Sequence, residues 1–145
     1  MSGMLTRLVG RTVSEIRMSE DVLTLITDQG PMSWAVEGDC CSQSVFFDFY
    51  GVRHLLDNGP VLAFENVDLS PGDPGYHDCN GSDGCGGEFT QVYGYRITTE
   101  HPQFGPVTSV FSFRNYSNGY YGGWMFETDR HADSPPLVED KVGES

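Results

Sequence analysis

The chain has 145 residues, enough for one domain with its own core, and a formal net charge of −13. That charge excludes duplex nucleic acid as a partner, because duplex binding relies on Lys and Arg displacing counterions from phosphates. Hydrophobic residues make up 38%, with 18 glycines, Tyr 7, Phe 9 and Trp 2, a mixture that suits short strands and many turns better than long helices.

In chain order, "MLTRLVG" reads as one short helical turn ending at Gly10. The first residues lack an apolar h-region followed by a cleavage site, so a cytoplasmic protein is expected. "TVSEIRM" alternates weakly through Val13, Ile16 and Met18. "DVLTLITDQG" alternates more clearly and ends in a turn, and "PMSWAVEG" resumes as a third strand, which predicts a three-stranded meander. "SQSVFFDFYG" is aromatic and β-prone, with room for a helical turn. "VRHLLDNG" predicts a short helix capped by Asn58–Gly59, and Val61 to Leu69 predicts a strand. Residues 70–87 carry no periodicity, and loops of this length inside a domain tend to be functional or disordered.

"EFTQVYGYRITTE" predicts a strand with Phe89, Val92, Tyr95 and Ile97 facing the core and a bulge at Gly94. In "PVTSVFSFRNY", Val107, Ser109, Phe111 and Phe113 share one parity. Asn118–Gly119 is a strong hairpin signal, since both residues tolerate the positive φ of a type I′ turn. "YYGGWMFET" then follows as the last strand, with Tyr120 and Tyr121 on opposite sides of it. From Asp129 the chain is polar, acidic and proline-containing, and reads as a disordered tail. The expected fold class is mainly β, at the margin α+β. It is a single domain over 1–128, a mostly antiparallel twisted sheet or sandwich of about seven strands with one or two short helices, followed by an acidic tail over 129–145. Exposed aromatics and several sheet edges point to a homo-oligomer.

Chemistry-bearing residues gather in three places. Cys40 and Cys41 are adjacent, and the trans peptide keeps neighbouring cysteines from bridging each other. With His77, Cys79 and Cys85 they form a weak candidate zinc set, weak because five residues separate Cys79 from Cys85 where a zinc knuckle has two to four. The acidic residues of the same loop fail the EF-hand register, with Asp83 where Gly is needed and Phe89 where Glu is needed. The expectation is no cofactor. Cys41 with His54 is conceivable as nucleophile and base, but no nucleophile or metallohydrolase motif supports an enzyme. No stretch approaches the ~20 apolar residues of a membrane span.

The third place is "NYSNGYYGGW". Arg114 precedes it and Tyr116, Tyr120, Tyr121 and Trp124 surround it, while Gly119, Gly122 and Gly123 let the backbone approach closely. Aromatic faces plus an arginine suit a planar ligand bearing a phosphate. The bland alternative is a cross-strand aromatic ladder covering a sheet edge. The candidate ligand-binding set is Arg114, Asn118, Tyr120, Tyr121, Trp124, Asp39 and Cys41, for a small anionic or nucleotide-like ligand.

"LVGRTVSEI", a β-meander, "GDCCSQS", "GPVLAFENV" and "SFRNYSNGYYGG" occur in this order. Over residues 5–127 the chain resembles a family of small phage and prophage proteins with no assigned function. Members of that family carry a DCC segment after the third strand and a late R-x-x-SNGYY segment, here Asp39, Cys40, Cys41 and Arg114, Ser117, Asn118, Gly119, Tyr120, Tyr121. The loop at 70–87 and the acidic tail lie outside that pattern. The resemblance implies a phage accessory protein in the host cytoplasm. By analogy with phage proteins that sequester the nucleotide signals of host immunity, including Thoeris defence, it implies a non-enzymatic sponge. The alternatives are an acidic module that inhibits a host protein and an enzyme using Cys41 or a loop metal.

Overall fold

A computed structural model describes residues 7–38, 43–67, 89–117 and 123–141. Eight strands and one short helix follow in order: β1 (Val13–Met18), β2 (Val22–Thr27), β3 (Gly30–Gly38), β4 (Gln43–Tyr50), α1 (Val52–Leu56), β5 (Val61–Val67), β6 (Phe89–His101), β7 (Gly105–Ser117) and β8 (Gly123–Thr128). They form two four-stranded antiparallel sheets, ordered β1-β2-β3-β8 and β4-β7-β6-β5. The predicted β class and the opening meander are found. Residues 43–50, left open between strand and helical turn, are strand. No helix among the described residues is long and apolar enough to cross a membrane.

Alternation explains the core. One face of the first sheet supplies Ile16, Met18, Leu23, Leu25, Met32, Trp34, Val36 and Met125, all within 5% exposure. The second sheet answers with rings. Phe111 stacks between Phe49 and Tyr95 at centroid distances of 5.5 and 5.3 Å, and Tyr93 stacks on Phe113 at 4.8 Å. Trp34 meets Phe64 edge-on across the two sheets at 5.5 Å. Aromatic pairs at such distances add to the stabilisation from buried area alone.

The bulge predicted at Gly94 is absent, since β6 and β7 pair without a break from Phe89↔Ser117 to His101↔Gly105. An unbroken register reverses Val92. It lies opposite Arg114, on the face away from Tyr95 and Ile97. The bulges sit in edge strands instead, at Val13/Glu15 in β1, Phe46/Asp48 in β4 and Val61/Ala63 in β5. In β4 the extra residue lets both Phe46 and Phe49 reach the core although they are three positions apart.

The helix ends at Asp57, which donates its N–H to the Arg53 carbonyl, and not at the predicted Asn58–Gly59 cap. Gly59 instead donates to the Glu100 carbonyl at 3.1 Å.

Residues 129–141 are not the free tail their composition suggests. Ala132 donates to Thr24 Oγ1 at 2.8 Å and covers Val22 and Ala35 on the outer face of the first sheet. Leu137 donates to the Ile16 carbonyl, and Lys141 exchanges two backbone bonds with Phe49 at 2.8 and 2.9 Å. Asp140 Oδ1 accepts from the N–H groups of Gly51 and Val52 at 3.0 Å each, capping α1 from far along the chain. A polar composition is compatible with such a strap because its bonds are mostly main-chain bonds, which any sequence can make. Asp140→Ala is therefore expected to cost about 1 kcal/mol. Urea denaturation would read this as a lower midpoint, and an unchanged midpoint would deny the cap.

Candidate functional site

The register brings the residues flanking the DCC and SNGYY segments to one end of the sandwich. β3 leaves the first sheet at Gly38 and the chain re-enters the second sheet at Gln43. β7 leaves the second sheet at Ser117 and the chain re-enters the first at Gly123. Gly38 pairs with Gly123, and Gln43 pairs with Tyr116. The crossings at 39–42 and 118–122 therefore start and finish side by side. The connection 68–88 begins after Val67 and ends before Phe89, and Phe89 pairs with Ser117.

This topology corrects the hairpin reading of Asn118–Gly119. The strands on either side, β7 and β8, belong to different sheets and do not pair with each other. A two-residue turn signal reports local φ preference and not which strands pair. Partner choice is set by the buried faces, which draw β8 to β3 through Met125 and Val36.

At this end of the sandwich lies a buried polar joint. Asn115 Nδ2 donates to Ser44 Oγ at 3.0 Å, and Ser44 Oγ donates to the Glu37 carbonyl at 2.8 Å. The Gly123 N–H donates to the Tyr93 hydroxyl at 3.3 Å. Asn115 is fully buried and Ser44 nearly so. Strands β3, β4, β6, β7 and β8 thus meet in one hydrogen-bonded knot that ties the two sheets together. Gly123 serves this knot and not a ligand: a Cβ there would lie 2.1 Å from Ser44 Oγ and 2.9 Å from the Glu37 carbonyl oxygen. Ser44, Asn115 and Tyr93 were not singled out in the sequence. The only signal was position, Ser44 just after the DCC segment and Asn115 just after Arg114.

Arg114 is completely buried, with its guanidinium carbon 4.0 Å from the centroid of the Phe47 ring. The bulge in β4 is what presents that ring, since Phe47 is its extra residue. A planar guanidinium over an aromatic face is a favourable way to hold a desolvated cation. Asp48 and Ser112, register partners on the same sheet, are also fully buried. Burial, then the Asp48 and Asp140 carboxylates, push the Tyr50 phenol above its ordinary value, while Arg114 pulls it down. A guanidinium buried in this way is not the open fork expected for a phosphate.

Trp124 is 43% exposed. It neighbours inward-facing Met125 on β8, just as Arg114 neighbours inward-facing Phe113 on β7, so each takes the outer face of its own sheet. These faces are on opposite sides of the sandwich, and Arg114 and Trp124 do not share a pocket. Asp39, Cys41, Asn118, Tyr120 and Tyr121 lie outside the described residues, as do the candidate zinc ligands Cys40, His77, Cys79 and Cys85. The Cys41 half of the Cys41–His54 pairing likewise lies outside the described residues. His54 Nδ1 is 2.9 Å from the Thr108 carbonyl oxygen. Comparison of the chain with protein-family models, curated proteins and solved structures finds no match.

Proposed function

We propose that the chain is a non-enzymatic binder that sequesters a small anionic, nucleotide-like ligand at the end of the sandwich where its two sheet crossings begin and end. The observation that supports this reading is the pairing of Gly38 with Gly123 and of Gln43 with Tyr116, which brings together residues flanking the DCC and SNGYY segments from distant parts of the sequence. In this reading Asp39, Cys41 and Asn118 offer hydrogen bonds and Tyr120 or Tyr121 stacks on the planar group. Arg114, buried over Phe47 on the outer face of its sheet, makes no contact with the ligand, and Trp124 takes no part. The resemblance to phage and prophage proteins supports a counter-defence role in the host cytoplasm.

Titration calorimetry of the full chain against cyclic dinucleotides and ADP-ribose derivatives tests it. Binding is expected, weakened about tenfold or more by Tyr120→Ala or Asn118→Ala, in line with ~1–3 kcal/mol for a stacked base. A panel in which no compound binds or raises the melting temperature would remove the reading.

The formal charge of −13 favours a second reading, an acidic module that occupies a basic surface on a host protein. That reading expects a host partner captured at low salt and released at high salt.

A further inference from the structure

The four sheet edges are not treated alike. β1 carries a bulge, and its Ile16 carbonyl is taken by Leu137 at 2.7 Å. β4 carries a bulge and is bridged at Phe49 by Lys141. β5 carries a bulge, and both backbone groups of Val61 are bonded, to Gly10 and Arg11, at 2.8 Å. Bulges and covering segments are the usual protections of a strand edge against pairing with another chain. β8 carries no bulge: its register with β3 is regular over six residues, and beyond Gly123, whose outward N–H goes to the Tyr93 hydroxyl, no described segment pairs with its outer side.

The register shows which groups that edge presents. Val36 N–H points to β2, where it donates to the Asp21 carbonyl. Its neighbours Ala35 and Glu37 therefore turn toward β8 and meet Phe126 and Trp124. The backbone N–H and C=O groups of Met125 and Glu127 face outward. The edge is also neutral in a strongly acidic chain, because Glu127 is the one charged residue of β8 and is ion-paired with Arg7.

We propose that β8 is a dimerisation edge on which a second copy of this chain pairs antiparallel across a twofold axis, joining two four-stranded sheets into one of eight strands. The outward groups set the register. Because the outward Gly123 N–H is already taken by the Tyr93 hydroxyl, Met125 lies opposite Glu127 of the second copy, twice over by symmetry. Phe126 then faces its own counterpart on the outer face of the joined sheet, with Trp124 of each copy diagonal to Phe126 of the other. Cross-strand aromatic pairs of this kind stabilise antiparallel pairing. They also account for a half-exposed tryptophan beside Phe126, which is itself packed against Val22, Ala35 and Ala132. The partner is a second copy because neutrality at the contact matters most between chains of the same sign and high charge, and a twofold contact needs no complementary surface elsewhere.

Light scattering behind size exclusion, on the full chain, tests this independently of any ligand. The expected mass is twice the 16.0 kDa of one chain. Trp124→Lys is expected to yield the single-chain mass with an unchanged far-ultraviolet spectrum. Glu127→Pro is expected to do the same, since it deletes an outward N–H and no bond to β3. On dilution of the wild type, tryptophan emission is expected to shift red at the concentration where the mass falls, because Trp34 is buried in either state. Should Glu127→Pro fail to fold, Trp124→Lys decides. A wild type of single-chain mass, or a dimer that folded Trp124→Lys leaves intact, overturns the proposal.

Discussion

Replacing Phe111 with alanine is expected to destabilise the fold by about 3–5 kcal/mol. Its ring is fully buried, stacked between Phe49 and Tyr95 and tilted against Phe46 and Phe64 at centroid distances of 6.1 and 6.0 Å. Four rings cannot all move in to fill the space it leaves, so the loss combines transfer energy with a residual cavity. With a urea slope of roughly 2 kcal/mol/M, the midpoint is expected to fall on the order of 2 M. Phe104→Ala is the matched control. Phe104 also touches an aromatic ring, His101 at 4.5 Å, but is 76% exposed, and a change of no more than about 0.5 kcal/mol is expected. Equal effects at the two positions would mean that stability does not rest on the stacked rings between the sheets.

The period of the strands was legible because each element declares its buried face locally. Val107, Ser109, Phe111 and Phe113 could be assigned to one side of β7 without knowing what lay opposite, and the meander followed from three adjacent alternating runs. Partnership between strands was not legible in the same way. Asn118–Gly119 signalled a tight reversal, and nothing within ten residues says that β8 returns to β3, whose buried face was read from a separate stretch. The error at Val92 has a related origin. Glycine in a strand suggested a bulge, whereas Gly94 is part of a regular register with Ser112, and the bulges went to edges that must be protected from pairing. Residues 129–141 were misread because composition reports the side chains, while the strap is held largely by main-chain bonds and one carboxylate.

The candidate site was half legible. Its segments were recognisable as unusual sequence, and the nearness of the residues that flank them is a product of topology that no single segment encodes. Arg114 illustrates the limit. An arginine beside tyrosines and glycines invites an anion, and only the register, with Phe47 presented by the bulge in β4, shows the guanidinium buried over a ring. Arg114 is thereby no contact residue in the ligand reading, whose test moves to Asn118 and Tyr120.

Gly123→Ala is expected to be the most damaging small substitution at this end of the molecule, at about 2–4 kcal/mol. The new Cβ would fall 2.1 Å from Ser44 Oγ, 2.9 Å from the Glu37 carbonyl oxygen and 3.0 Å from Asn115 Nδ2. The serine hydroxyl is not free to swing away. It donates to Glu37 and accepts from Asn115, so moving it leaves buried polar groups unsatisfied at about 1–3 kcal/mol each. The Glu37 carbonyl belongs to the backbone of β3, next to the Gly38–Gly123 pair, so the strand itself would have to shift. A double-mutant cycle separates the two contributions. Ser44→Ala alone loses the hydroxyl's bonds, and in the Gly123→Ala background it also removes the closest clash. The combined effect is expected to fall short of the sum by about 0.5–3 kcal/mol, with incomplete rescue because the carbonyl remains. Strict additivity would show that Ser44 and residue 123 do not meet. Because both crossings spring from this joint, the same variant is expected to weaken any ligand held by 39–42 and 118–122. Ser44→Ala in the Gly123→Ala background should restore binding only as far as it restores stability.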